Sequence, residues 1–302
     1  MKKVWNVFML LPVLFLMMAS LLSSPLEAFA SEKSSQADET ELRVMTFNLR
    51  YLNDSDPSPH TWEERRSTVR QVIRMEQPGI IGTQEAVYQQ VKQVGSDLAN
   101  YKWIGLGREG GSKGEFMAVY YNEKRFTPLE YDHYWLSDTP HIVGSTSWGN
   151  TIPRMVTWVK FHDTKTDQSF YFVNTHFDHI SEEAREKSAA LINQKVKEFD
   201  SELPVILTGD FNASPGSKPY EILTNEGPFV DTWTAADNRM NEHLGTFNGF
   251  NDPTGGGPDK RIDWILSTEN VTTQSSEIVN FRKNGQYPSD HYPVISDLTL
   301  QY

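Results

Sequence analysis

The residues best suited to chemistry stand at the ends of apolar runs. Val205-Ile206-Leu207-Thr208 leads into Gly209-Asp210-Phe211-Asn212, and Ser289-Asp290-His291 precedes another apolar run near the C-terminus. A buried strand has no use for an acid and an amide where it emerges, unless something there is bound or activated. Carboxylates, amides and histidines at strand ends are what a hard divalent cation and a phosphate ester require.

The pattern recurs along the chain. The run 42–47 delivers Asn48, and the run 80–83 delivers Gln84 and Glu85. The run 169–174 delivers Asn174, His176, Asp178 and His179, while 204–208 delivers Asp210 and Asn212. Taken singly, each has an ordinary explanation: Asn48 suits a turn, Glu85 a helix start, and His176 with Asp178 a surface pair. Asp263 is harder to set aside, because Ile262 and Trp264 flank it and an unpaired buried carboxylate is costly. His291 is its candidate partner. Six coincidences of this kind point to one cleft.

The elements that must position these groups are mostly strands. Leu42–Phe47 alternates and is rich in β formers. Thr61-Trp62-Glu63-Glu64 fits a capping box, and Val69, Val72 and Ile73 give the following helix an apolar face until Pro78 ends it. Strands are expected at 80–83, 102–106, 116–122, 125–135, 155–162, 169–174, 204–209, 261–267, 277–282 and 293–300. Helices are expected at 87–99, 182–200 and 217–225. Short Gly- and Asn-bearing turns favour antiparallel pairing, and the mixture suits an α/β sandwich better than a βαβ barrel.

Residues 1–30 carry Lys2 and Lys3, an apolar stretch from Val7 to Leu22, and Ala28-Phe29-Ala30, the pattern of a signal peptide. A secreted protein without stable membrane association is therefore expected. Residues 31–41 are polar and aperiodic and read as a disordered leader, leaving one domain over 42–302. The 302-residue chain has no cysteine, so neither a disulfide framework nor lipid attachment through cysteine is available. Its formal charge of −12, with no basic run, argues against avid binding to a long polyanion and favours small phosphorylated molecules.

Six motifs in order carry a specific resemblance: Thr46-Phe47-Asn48, Thr83-Gln84-Glu85, Asn174-Thr175-His176-Phe177-Asp178, Gly209-Asp210-Phe211-Asn212, Arg261-Ile262-Asp263-Trp264 and Ser289-Asp290-His291. Together they resemble the endonuclease/exonuclease/phosphatase superfamily, and the secreted bacterial branch within it. The resemblance implies a four-layer α/β sandwich of two largely antiparallel sheets flanked by helices, with a phosphoesterase site at one edge. It implies Glu85 as principal metal ligand, with Asn48 and Asp290 close to the ion, which is Mg2+ or alternatively Mn2+ or Ca2+. Asp210 and Asn212 then hold the attacking water and the phosphate, and His176 donates to a phosphate oxygen. Asp263 orients His291, which is either general base or charged stabiliser; the residues alone leave both open.

Arg154 is the expected protein cation for a phosphate oxygen, since guanidinium matches phosphate bidentately. Asn174 and Asp178 are expected to bind substrate beside it. Two glycine-bearing loops, 105–114 with Arg108 and 247–257 with Phe247, are candidates to shape the pocket. The leading expectation is a monomeric, metal-dependent hydrolase of phosphate mono- or diesters. An extracellular nuclease is the first alternative, although the charge does not favour nucleic acid. An inactive module that binds phosphate polymers is the second.

Overall fold

The computed structural model of the protein describes Met1 and residues 39–302. The signal peptide and most of the leader read from the sequence lie outside the described residues. The last three residues of that leader differ from expectation. Glu39–Glu41 extend the first strand, pairing with Gln301, Leu300 and Thr299.

Among the described residues thirteen strands form two sheets. The first contains β1 (Glu39–Asn48), β2 (Ile80–Gln84), β3 (Tyr101–Ile104), β4 (Val119–Asn122), β10 (Asn238–Met240), β12 (Val271–Ile278) and β13 (Val294–Gln301), in the order β10-β12-β13-β1-β2-β4-β3. The second contains β5 (Phe126–Trp135), β6 (Met155–Asp163), β7 (Gln168–His176), β8 (Val205–Asp210), β9 (Phe229–Asp231) and β11 (Asp263–Thr268), in the order β5-β6-β7-β8-β11-β9. Most neighbours are antiparallel, but β1 with β2, β7 with β8 and β10 with β12 run parallel.

Side-chain alternation divides the core into three layers. On β1, Val44 joins the cluster between the sheets with Phe172, Ile206 and Ile265, while Met45 and Phe47 face outward. That outer face is covered by helices α1 (Trp62–Glu76) and α2 (Tyr88–Asp97) through Val69, Val72, Val91 and Val94. On β8, Val205 and Leu207 face the other way, against α3 (Glu182–Val196) and α4 (Lys218–Thr224) through Ile192 and Leu223. The result is helix, sheet, sheet, helix, the four layers expected. Burying each large apolar side chain contributes about 1.5–3 kcal/mol.

Two glycines mark where backbones crowd below the site. A Cβ on Gly82 would stand 2.2 Å from Thr208 Oγ1 and 2.6 Å from Asn174 Oδ1, where the sheets face each other. One on Gly209 would stand 2.6 Å from the carbonyl of Thr175 on the parallel neighbour.

Several boundaries depart from expectation. The strand expected at 277–282 lies at Val271–Ile278, because its Thr-Thr-Gln-Ser-Ser core alternates between polar types and carries no apolar signal. Phe116–Ala118 leave the ladder and only Val119–Asn122 pair as a strand. The short elements β9, β10 and α5 (Thr232–Ala235) have three or four residues each, too few for a periodicity to show. No helix among the described residues is long and apolar enough to cross a membrane.

Candidate active site

Sheet register brings the strand-end groups together. β1 and β2 run parallel with Asn48 opposite Gln84, so Glu85 emerges beside Asn48. In the other sheet, His176 on β7 stands opposite Asp210 on β8, and Asp210 stands opposite Asp263 on β11. The loop before β13 adds Asp290 and His291. Arg50, Glu85 and Asn212 all have left-handed backbones, with φ of 53°, 67° and 47°. Such conformations cost non-glycine residues energy and concentrate at sites where a side chain must be aimed.

Asn48 is the centre of this arrangement. Its amide nitrogen donates to Glu85 Oε1 at 2.9 Å and to Asp210 Oδ2 at 2.9 Å, and lies 3.5 Å from His291 Nε2. Its amide oxygen accepts from the backbone N–H of Arg50 at 2.9 Å, which fixes which end faces the site. An amide nitrogen carrying two hydrogens cannot ligate a cation. In this arrangement Asn48 ties two carboxylates together.

His291 and His176 carry opposite charge preferences. His291 Nδ1 lies 2.8 Å from Asp263 Oδ2, and an ionised carboxylate only accepts, so Nδ1 carries the proton. Burial opposes the charge on His291, but Asp263, Asp210 and Asp290 outweigh it and hold the imidazole well above its ordinary value. His176 is held well below, by burial and by the nearby charges of Arg154 and Arg108. The amide of Asn212 donates to Phe177 O at 3.1 Å and sits 3.0 Å from His176 Nε2, so that nitrogen accepts. His176 Nδ1 then bears the hydrogen, and it is buried without a partner.

The carboxylates repel one another. Asp210 is pushed up to about 7, by burial and then by Asp263, and Asp290 to about 6, by burial with Glu85 opposing its charge. Glu85, Asp210 and His291 present ligand atoms within 4.8 Å of one another. The carboxylates of Glu85 and Asp210, with Asp290 beside them, fit a divalent cation by their donor chemistry, whereas the charged His291 has no lone pair to offer it.

One cavity of about 630 Å3 collects these groups with Arg50, Arg108, Glu115 and Arg154. Two of its arginines are largely committed. Arg50 bonds Asp56 at 2.9 Å and lies 3.7 Å from Asp290, and Arg108 bonds Glu115 at 2.6 Å. Arg154 donates through Nη2 to His179 Nδ1 at 2.9 Å and lies 3.5 Å from Asp178, yet its Nη1 and Nε are buried without hydrogen-bond partners. Below the cavity the buried Arg65 donates to the carbonyls of Leu49, Arg50, His60 and Pro288, clamping the segments that carry Arg50 and Asp290.

Of the expected residues, Glu85, Arg154, His176, Asp210, Asn212, Asp290 and His291 line the cavity, and Asp263 supports His291 from behind. Two expected substrate-binding residues do not reach it. Asn174 bridges the sheets, accepting from Gln84 at 2.7 Å and donating to Thr83 O and Ala118 O at 2.8 and 3.2 Å. Asp178 accepts the N–H groups of Ile180 and Ser181 ahead of α3 and braces Arg154. Arg50 and Glu115 were not among the sequence candidates. Arg50 follows the Asn48 motif by two positions, which was the available signal.

A family profile described as Endonuclease/Exonuclease/phosphatase family matches residues 45–291. The chain belongs to the endonuclease/exonuclease/phosphatase family. As a member it is a phosphoesterase, and its α/β fold is that of solved family structures. The family protein from Bacteroides vulgatus is 36% identical with a TM-score of 0.82, over 87% of this chain and 100% of that one. A mannosyl-6-phosphatase from Bacteroides thetaiotaomicron is 34% identical with a TM-score of 0.80, over 85% of this chain and 99% of that one. An uncharacterized protein of Acanthamoeba polyphaga mimivirus is 30% identical over 270 residues, 84% of this chain and 98% of the relative.

Proposed function

We propose that the protein is an exported, Mg2+-dependent phosphatase that hydrolyses small phosphate esters, monoesters in preference to diesters. The observation that carries the reading is Arg154. Arg154 lines the same cavity as Glu85, Asp210 and Asp290, and while its Nε faces Asp178 at 3.5 Å, its buried Nη1 has no hydrogen-bond partner. A buried guanidinium with free donors calls for an anion, and neighbouring carboxylates call for a cation. A phosphate ester with a divalent ion satisfies both. The likeness to a mannosyl-6-phosphatase supports a monoester.

In this reading Glu85 holds the cation, with Asp210 and Asp290 as flanking carboxylates reached directly or through water. A divalent cation supplies charge compensation for the phosphoryl group. Arg154 binds a non-bridging oxygen, and the Nδ1–H of His176 donates to another. Asp210, with Asn212 beside it, orients the attacking water and takes its proton. His291 is held in its charged form, with a proton on each ring nitrogen and no lone pair left to accept another, so it serves as a charged stabiliser facing the phosphoryl oxygens.

Release of inorganic phosphate from a panel of sugar phosphates, nucleotides, aryl phosphates and phosphodiesters tests the proposal, with Mg2+ and with EDTA. Mg2+-dependent release from monoesters, abolished by EDTA, is the expected result. Cleavage of plasmid or RNA at a higher rate than any monoester would replace it with a nuclease reading.

A further inference from the structure

Glu115 is a feature the phosphatase reading leaves unused. Its carboxylate stands on the cavity wall 2.6 Å from Arg108 Nη1 and 3.9 Å from His176 Nδ1. Its position is built rather than incidental. Glu115 bridges to Val87, its carbonyl accepts the N–H of Arg108 at 2.9 Å, and Gly107 bridges to Phe116. The indole of Trp135 donates to the carbonyl of Arg108 at 2.6 Å, so the base of the 105–114 loop is pinned from both sides.

A carboxylate in this place is a poor neighbour for a phosphate. Both are acceptors, and a negative charge on Glu115 is already opposed by burial and then by Glu85, which push its carboxyl up to about 7. A site built only to hold phosphate gains by placing an apolar or basic residue there. Glu115 instead has Oε2 on Arg108 and leaves Oε1 without a hydrogen-bond partner among the described residues. Beside it the Nη2 of Arg108 likewise has no hydrogen-bond partner among the described residues, while its Nε is buried beneath the wall. The wall thus offers a fixed acceptor next to a fixed donor, in the same cavity that Arg154 lines. Such a pair is satisfied by a hydroxyl, which gives one hydrogen bond and receives another.

We propose that Glu115 and Arg108 form a subsite that reads hydroxyl groups of the leaving alcohol, making polyol and sugar phosphates the preferred substrates. The proposal rests on the phosphatase reading of the same cavity and narrows it. The carboxylate also works against wrong ligands. A second phosphate on the leaving group, or the next phosphate of a nucleic acid, meets Glu115 as a like charge. A substrate that lacks hydroxyls leaves this acceptor and donor without partners once it displaces the water there, and sites built this way reject such analogues.

The test compares a hexose 6-phosphate with butyl phosphate. Both release a primary alcohol, so the two differ in hydroxyl content far more than in leaving-group chemistry. The wild-type protein is expected to prefer the hexose phosphate in kcat/KM by roughly tenfold or more. In Glu115→Gln, which keeps size and loses the charge, that ratio should fall toward one, and Arg108→Gln should behave alike. Thermal melts identify any variant that has failed to fold. Equal losses on both substrates would overturn the subsite and make Glu115 a group acting on the common chemistry, such as a proton donor to the leaving oxygen. An unchanged ratio overturns it as well. If the wild type turns over neither ester, the phosphatase reading fails separately. Calorimetry then judges the subsite: the hexose phosphate must bind more tightly than butyl phosphate to the wild type and lose that advantage in Glu115→Gln. Equal binding by the wild type rejects the subsite.

Discussion

His291 Nδ1 lies 2.8 Å from Asp263 Oδ2, while its Nε2 lies 3.8 Å from Asp210 Oδ2. The imidazole thus stands between a buried carboxylate that fixes its proton and one that faces the cavity. The two carboxylates are themselves register partners on adjacent antiparallel strands, Asp263 on β11 and Asp210 on β8. Sheet pairing alone therefore sets the spacing into which the histidine fits, and the polar triad inherits the rigidity of the sheet.

Removing Asp263 should change the pH at which activity is lost. In the folded protein His291 stays charged well above its ordinary pKa, and Asp263 is the largest of the groups that raise it. If the charged form is required, activity is present below that pKa and disappears as the pH rises through it. Asp263→Asn weakens the charged form, so the alkaline limb of kcat/KM should move to lower pH. The rate at neutral pH should fall by about 10²–10⁴-fold. An alkaline limb that stays in place while the rate falls would assign Asp263 to structure alone.

Glu85 makes a prediction that does not need turnover. A cation at free concentration c that binds only the folded state stabilises it by RT ln(1 + c/Kd), so the melting temperature keeps rising with cation concentration. Mg2+ should therefore raise the Tm of the wild-type protein in a concentration-dependent way, and Glu85→Gln should abolish most of that rise. Its activity should require about 10–100-fold more Mg2+, if any returns. An equal Mg2+-dependent shift in both proteins would place the cation elsewhere.

Most of the site was legible because it lies at strand ends, where a polar residue interrupts an apolar run. The failures have definite physical causes. Asn174 and His176 share one face of β7 by the two-residue period, yet a strand rises about 3.3 Å per residue, so Asn174 sits about 7 Å deeper. That depth places it between the sheets instead of in the cavity. Which end of the Asn48 amide faces the carboxylates is set by a backbone N–H two residues later, which a residue pattern does not show. Glu115 reaches the wall through bridges to Val87 and through the fold of a glycine-rich loop, neither of which has a periodic signature. Arg65 reads as one more basic position on a helix, although its four carbonyl partners lie in three separate segments.

The corrected role of Asn174 separates stability from activity. Its amide bonds Gln84, Thr208, Thr83 O and Ala118 O, all buried. Asn174→Ala strands these partners and opens a void, which should cost about 3 kcal/mol of unfolding free energy. At a temperature where the variant remains folded, its KM for a phosphate ester should stay within a few-fold of wild type. A large rise in KM with little loss of Tm would return Asn174 to the substrate.

Asp178 should report itself in the acid limb of stability. Burial opposes its charge, but the N–H groups of Ser181 and Ile180 and the guanidinium of Arg154 more than offset this and hold its carboxyl below the usual value. A group whose folded pKa is depressed contributes stability that is fully present above its unfolded pKa, about 3.9 for aspartate, and lost as the pH falls through the folded value. Asp178→Asn removes that contribution at all pH values, so the wild type's advantage in Tm should be constant at neutral pH and shrink below about pH 4. Because Asp178 also braces Arg154, the variant should lose phosphate affinity at pH 7, measurable as a weaker inorganic phosphate inhibition constant. A Tm difference that persists unchanged down to pH 2 would show that the carboxylate's charge contributes nothing to the fold and that the variant's loss comes from hydrogen-bond geometry alone.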